Sequence, residues 1–315
     1  MTTATLAPPG VTPTANVDGA LSPLAEASIP VLDRGFLYGD SVYEVFRTYD
    51  GVPLYWREHF DRMANSARLI HMPVAQSVED LMGEIRRTVA AAHDGHTERG
   101  EVYVRWHVSR GVGPVELYPD PSLRTSFMIM VKPVPSWNPD HYTTGLRVAV
   151  TDVRRNSVEA LSPNIKSGNY LNNILAVADA STRGADDCLM LNAQGHVTES
   201  SNSNVFFVLD DRLVTPDDAS GNLRGITGVA LRKLGDEGGW PIHEEPVAGE
   251  DLARVTEAFV TSATREVMPI AAIRLADGEW RDLPGGGGPL TRKVSAAYTA
   301  CVARYTAENQ DAKLW

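Results

Sequence analysis

Lys166 stands in the run Asn164-Ile165-Lys166-Ser167-Gly168-Asn169-Tyr170-Leu171-Asn172-Asn173, after Pro163 and just ahead of a predicted helix start. A lysine so placed can be aimed into a cleft, and it attacks carbonyl carbons once burial or a neighbouring cation helps it lose its proton. An arbitrary loop lysine is more often solvated. The chain, however, holds only five lysines (Lys132, Lys166, Lys233, Lys293, Lys313), and none of the others has comparable surroundings. A second run, from Gly195 to Phe207, begins polar, becomes strongly apolar, and carries one carboxylate, Glu199. A third, Leu223-Arg224-Gly225-Ile226-Thr227-Gly228, opens a predicted helix whose free N–H groups suit a phosphate, with the Thr227 hydroxyl as a further donor. Arg62, in Glu58-His59-Phe60-Asp61-Arg62-Met63, lies off the apolar stripe of its helix and offers a fork that can donate two hydrogen bonds to one anion.

The run around Lys166 closely resembles the lysine motif of the class IV aminotransferases, a family that includes branched-chain and D-amino-acid aminotransferases and aminodeoxychorismate lyase. The resemblance implies pyridoxal 5'-phosphate as cofactor, Lys166 as its covalent partner, and Tyr170 as a hydrogen-bond partner of its phenolate oxygen. The run from Gly195 is similar to the family's second signature. It implies that Glu199 faces the ring nitrogen and keeps it protonated, so that the ring is an electron sink, with Asn204 supporting the adjoining loop of the cofactor site. Ile226 and Thr227 lie in a Gly-Ile-Thr core similar to the phosphate loop, although Arg224 replaces the usual proline and Gly228 the usual arginine. Thr261-Ser262-Ala263-Thr264 resembles the second phosphate loop. That implies cofactor contacts from Ser262, Ala263 and Thr264, the last two also meeting the substrate carboxylate. His59-x-x-Arg62 matches the segment that supplies the phosphate arginine. Asp33-Arg34-Gly35-Phe36-Leu37-Tyr38-Gly39-Asp40-Ser41-Val42-Tyr43-Glu44-Val45 resembles the N-terminal motif, whose aromatics, here Tyr38 and Tyr43, line the substrate pocket.

Glu101-Val102-Tyr103-Val104-Arg105 resembles the Tyr-x-Arg element of branched-chain aminotransferases, in which the tyrosine holds the α-carboxylate and the arginine the distal carboxylate of glutamate; Trp106 replaces the proline that often follows. Strand alternation puts Tyr103, Arg105 and His107 on one face. The Arg-x-His trap of D-amino-acid aminotransferases is missing after Ser109-Arg110-Gly111, where Val115-Glu116-Leu117 stands, yet Asp-Arg-Gly and Val-Tyr-Glu-Val look closer to that subfamily. The expected reaction is ping-pong amino transfer through Lys166, with branched-chain L-amino acids and 2-oxoglutarate first. D-amino acids or (R)-amines come second and an aminodeoxychorismate-type lyase third. Outside enzymology the alternative is a non-catalytic binding subunit.

These residues need elements to hold them. Val42–Tyr49, Glu101–Ser109 and Ser126–Lys132 read as strands, and Arg57–Ile70 as a helix with Phe60, Met63, Ala64 and Ala67 inward. Ser77 and Asp80 form a capping-box pattern ahead of a helix carrying Leu81, Ile85 and Val89. Pro133, Pro135 and Pro139 interrupt regular structure. Residues 1–15 are thus expected to be a flexible tail, 16–133 an N-terminal α/β domain, 134–141 a linker, and 142–315 a cofactor-binding domain. In the latter, strands are expected at Leu146–Val153, Asp187–Leu191 and His196–Leu209, and helices at Tyr170–Arg183, Thr227–Gly235 and Leu290–Thr306. The Gly285–Gly288 run reads as a flexible connection with the wrong spacing for a P-loop. The fold class is mixed α/β, and resemblance implies a small N-terminal domain, a larger C-terminal one with a barrel-like sheet, the cofactor in the cleft between them, and a homodimer or larger assembly. With 43% hydrophobic and 22% charged residues the 315-residue chain has the make-up of a globular protein, and its net charge of -11 argues against nucleic acid as partner. The two cysteines form no metal-ligand spacing, no apolar run is long enough for a membrane span, and the start lacks the features of a secretory signal; the cytoplasm is the expected location.

Overall fold

Strands built on two-residue alternation and helices with one apolar stripe fall into two units in the computed structural model, which describes residues 10–315. The first unit takes in the chain up to Pro135, but also Ile165–Gly168 and Val302–Trp315; the second takes in Ser136–Asn164 and Asn169–Cys301. The single crossing expected at 134–141 is therefore corrected: the Lys166 segment and the chain end both return to the first unit. Backbone hydrogen bonds account for this. Tyr43 N donates to Lys166 O at 2.9 Å, Leu314 N donates to Gly51 O at 2.9 Å, and Arg86 donates to Lys313 O at 2.6 Å.

The elements of the first unit are β1 (Thr14–Val17), β2 (Ala20–Pro23), α1 (Arg34–Tyr38), β3 (Ser41–Tyr49), β4 (Val52–Pro53), α2 (Trp56–Leu69), α3 (Val78–Ala92), β5 (Val102–Ser109) and β6 (Ser126–Pro133). The sheet runs β2-β1-β6-β5-β3-β4 and is antiparallel throughout. Alternation turns Val42, Phe46, Val104, Trp106 and Val108 inward, each fully buried, onto Phe60 and Met63 of α2 and Leu81, Ile85 and Val89 of α3. Burial of each large side chain contributes roughly 1.5–3 kcal/mol. The capping box is formed: Ser77 accepts from Asp80 N at 3.0 Å, and Asp80 accepts from Ser77 N at 3.1 Å. On α2, Ala64 is exposed, and Ser66 is buried in its stead with its hydroxyl accepting from Lys166 N at 3.1 Å. Of the expected tail, residues 1–9 lie outside the described residues. Thr14 and Ala15 belong to β1, because pairing with β6 satisfies their backbone and buries Ala15.

The second unit holds α4 (Asp140–Thr143), β7 (Leu146–Val150), α5 (Leu171–Thr182), β8 (Asp187–Leu189), β9 (Asn204–Leu209), β10 (Arg212–Thr215), α6 (Ile226–Gly238), β11 (Ile242–Glu244), β12 (Glu257–Ser262), β13 (Glu266–Arg274) and β14 (Trp280–Asp282), and it is followed into the chain end by α7 (Pro289–Glu308). Its sheet runs β11-β10-β9-β12-β13-β7-β8, with β14 added on β13; β10–β11, β13–β7 and β7–β8 are parallel. Three expectations are corrected. A short helix, α4, interrupts the supposed linker, because Pro139 already has a helix-compatible φ of -54°. The strand expected from His196 begins only at Asn204. Over 198–203 the chain folds on itself, with Ser200 N donating to Ser203 O at 2.9 Å and Asn173 reaching Ser201 O at 2.7 Å, in keeping with the competition that Ser and Asn offer to ladders. The Gly285–Gly288 run is held: the Glu257 carboxylate accepts from Leu290 N and Thr291 N at 3.1 and 2.7 Å, and a side chain at Gly288 would collide with it. The start of α7 therefore carries the chain's own anion. Among the described residues no helix is long and apolar enough to cross a membrane.

Candidate active site

In the first unit Lys166 is held between β3 and α2. Its carbonyl accepts from Tyr43, Ser167 bridges Val42, and its amide donates to Ser66, so its backbone is fixed on both sides. The amine Nζ lies 3.2 Å from the Tyr43 hydroxyl and 4.4 Å from that ring's centroid. Tyr43 faces His107 across the β3–β5 ladder, and the two rings stack at 5.0 Å. The Arg105 guanidinium lies 4.1 Å from the same tyrosine centroid and donates from Nε to His107 Nε2 at 2.7 Å. Three groups, one from the lysine segment and two from β5, thus converge on one aromatic ring of β3. Tyr103 lies on the same face, with Lys132 Nζ 4.9 Å from its ring, whereas Tyr38 packs against Arg34 at 5.1 Å.

Arg62, off the apolar stripe of α2, is nonetheless largely buried. It donates from Nε to Glu44 Oε1 at 2.6 Å and from a terminal nitrogen to Oε2 at 2.8 Å, and His59 Nδ1 lies 2.7 Å from the same carboxylate. Glu44 is fully buried. Burial pushes its carboxyl up, but Arg62 and His59 outweigh this and hold it well below the usual carboxylate range. The adjoining turn is likewise ionic. Asp40 receives Arg34 and Arg110 at 3.0 and 2.7 Å, and Asp33 caps α1 through Gly35 N at 2.8 Å.

In the second unit Glu199 is buried, paired with Arg155 at 3.0 Å, and it accepts from Leu223 N at 3.1 Å. The Leu223 bond ties the carboxylate to the loop that starts α6. Asn204 donates to Leu223 O at 2.7 Å, and its amide fills the space where a side chain at Gly225 would stand, which is why glycine precedes the helix. No side chain caps the start of α6, where Ile226 and Thr227 present their N–H groups. By chemistry alone, the lysine amine of the first unit and, in the second, a buried carboxylate and an uncapped helix start with a threonine are groups of the kinds that fit pyridoxal phosphate. Tyr170 immediately precedes α5. Ser262, Ala263 and Thr264 make the β12–β13 turn, with the Ser262 hydroxyl accepting from Arg265 N at 3.1 Å and Thr264 O from Trp137 at 3.0 Å.

Glu44, His59, His107 and Arg155 carry this geometry, yet the sequence alone assigns none of them a role. The signal for Glu44 was available: it shares the inward register of Val42, Phe46 and Thr48, and a charge there needs a buried partner. Burial first, then the charges of Arg105 and Lys166, push the His107 imidazole down to about 3. The unfolded chain takes up a proton below the ordinary histidine value near pH 6.5, which folded His107 refuses. Its contribution therefore turns unfavourable as pH falls from 6.5 towards 3, by up to about 1.4 kcal/mol per pH unit. Urea unfolding at pH 7 and pH 5 checks this. Wild type is expected to lose roughly 1–2 kcal/mol more than His107→Gln over that interval, and equal losses would count against a neutral, half-buried imidazole.

Comparison with known proteins follows the same outline. Residues 41–273 match the family model of amino-transferase class IV. A protein of Methanocaldococcus jannaschii, described provisionally as a branched-chain-amino-acid aminotransferase, is 34% identical over 248 residues, which is 79% of this chain and 83% of that protein. The crystal structure of branched-chain aminotransferase from Thermoproteus uzoniensis with norvaline superposes with a TM-score of 0.82 at 30% identity, covering 93% of this chain and 97% of that one. The branched-chain amino acid aminotransferase of Thermobaculum terrenum, solved in its PLP-form, gives 0.76 at 26% identity, covering 94% and 97%.

Proposed function

Since this chain belongs to the class IV aminotransferases, we propose that it uses pyridoxal 5'-phosphate to move an amino group from a branched-chain L-amino acid to 2-oxoglutarate. The donor is supported by the relatives just described. The acceptor is supported by one observation above all: Arg105, a cation fixed on the ring whose hydroxyl meets the Lys166 amine, has no carboxylate partner among the described residues. A cation kept without a counter-ion next to a reactive amine is suited to a substrate acid.

When bound, the cofactor supplies an electron sink. The remaining work falls to this chain's side chains. Lys166 Nζ would hold the cofactor and act as general base toward the substrate Cα proton. Glu199, anchored by Arg155, would hold the cofactor ring nitrogen, and Tyr170 the phenolate oxygen. Arg62, oriented by Glu44, would donate to the phosphate, as would Ile226, Thr227 and the Ser262–Thr264 turn, with Asn204 holding the α6 loop. Tyr38, Tyr43 and Tyr103 line the substrate side, and Ala263 and Thr264 meet its α-carboxylate. A cytoplasmic homodimer belongs to the same reading. Val115, Leu117 and Tyr118 are exposed together on one loop, an apolar surface of the kind a subunit covers.

The test is amino transfer by the cofactor-loaded protein. L-leucine and 2-oxoglutarate are expected to yield glutamate and the branched oxo acid in equal amounts, with parallel double-reciprocal lines. Transfer from D-alanine or (R)-1-phenylethylamine with none from L-leucine would replace the donor.

A further inference from the structure

His107 has no part in the assignments above, yet it makes the most directed contact that Arg105 has. An arginine on a sheet face has several rotatable bonds and considerable rotamer freedom to lose. Two contacts restrain Arg105: the Tyr43 ring at 4.1 Å from the guanidinium carbon, and His107 Nε2, which accepts from Nε at 2.7 Å. Acceptance by Nε2 requires the neutral ring with its proton on Nδ1. With Nε committed, the other donors sit on the two terminal nitrogens, the edge that meets a carboxylate with two parallel hydrogen bonds. Arg34, Arg62, Arg110, Arg155 and Arg265 are each held by an Asp or Glu; Arg105, among the described residues, is held by a neutral imidazole. Orientation is thereby supplied without neutralising the charge. Lys166 Nζ lies 4.4 Å from the same tyrosine centroid, so amine and guanidinium carbon are no farther apart than the two centroid distances together, a span within reach of a short oxo acid.

We infer that His107 is a specificity-determining positioning residue, fixing Arg105 as the receptor for the second acidic group of a dicarboxylic substrate. The inference rests on the assignment of Arg105 to substrate made under the proposed function. A side chain that cannot accept a hydrogen bond at position 107 would leave the guanidinium charged but unaimed, so dicarboxylic ligands would lose affinity while monocarboxylic ones would not. Glutamine, whose amide oxygen can take the Nε–H, would restore the aim.

The experiment titrates glutarate and butyrate by calorimetry into cofactor-loaded wild type, His107→Leu and His107→Gln, and measures KM and kcat with 2-oxoglutarate and pyruvate as acceptors. His107→Leu is expected to weaken glutarate binding and raise KM for 2-oxoglutarate roughly 10- to 100-fold, the range for a hydrogen bond to a charged group. Butyrate affinity, KM for pyruvate and both kcat values are expected to stay as in wild type, and His107→Gln to recover most of the loss. Equal weakening of glutarate and butyrate, no weakening, or a glutamine variant no better than leucine overturns the inference, as does a wild type that binds both acids alike. A wild type that prefers glutarate in the predicted way but transfers no amino group would uphold the receptor and sink the transaminase reading instead.

Discussion

Replacing Lys166 by alanine is expected to lower the rate of amino transfer by about four orders of magnitude or more, the upper range for loss of a positioned general base, since the covalent anchor goes with it. The fold should survive. Lys166 is tied down through its backbone, by Tyr43 N, Ser66 Oγ and the Ser167 bridge to Val42, and none of these needs the amine. The amine itself contributes the bond to the Tyr43 hydroxyl at 3.2 Å and its place near the ring. The unfolding free energy should therefore change by no more than about 1 kcal/mol. Visible absorbance after addition of pyridoxal phosphate separates the two roles. A band in wild type that disappears in Lys166→Ala, with circular dichroism unchanged, is the expected pair of results. A variant that keeps both the band and measurable turnover would show that another amine carries the chemistry, with Lys132, Lys233, Lys293 and Lys313 the lysines left to examine.

Sequence legibility followed a physical boundary. One apolar stripe or face is enough to locate β3, α2 and β6 to within a residue, because burial selects their period directly. The polar run before β9 is not the strand its sequence suggests, since the bonds that bend residues 198–203 come from Met190, Asn173 and the run itself, and alternation says nothing of them. The site showed the same split. The residues proposed to meet the cofactor stand in recognisable runs, but those that hold them, Glu44 for Arg62 and Arg155 for Glu199, lie 18 and 44 positions away in sequence. Such pairs are made by the fold, and a single sequence offers for each only the hint of a charge in a buried register.

Glu44 is where that hint has the largest consequence for stability. Its carboxylate is fully buried among Val42, Phe46 and Trp106 and is compensated by Arg62 through two hydrogen bonds and by His59 through one. Glu44→Leu is expected to cost roughly 3–5 kcal/mol, because it strands a largely buried guanidinium without its counter-ion. Removing both charges, in Glu44→Leu with Arg62→Met, should recover much of that loss, since an apolar pair of similar size has no desolvation penalty to offset. The pH dependence has a definite sign. A carboxyl held below its ordinary value contributes stability that is complete above about pH 4.5 and is lost as pH falls towards its folded value, so wild type and Glu44→Leu should converge in acid. Function parts company with stability in the double variant. Restored folding cannot restore the phosphate donor that Arg62 supplies in the proposed site, so affinity for pyridoxal phosphate should remain low when the unfolding midpoint has returned. Urea melts of the four proteins of the cycle, with cofactor titrations on each, measure both effects. Strictly additive losses would show that Glu44 and Arg62 stabilise the first unit independently, and the buried pair would then have no part in aiming the arginine.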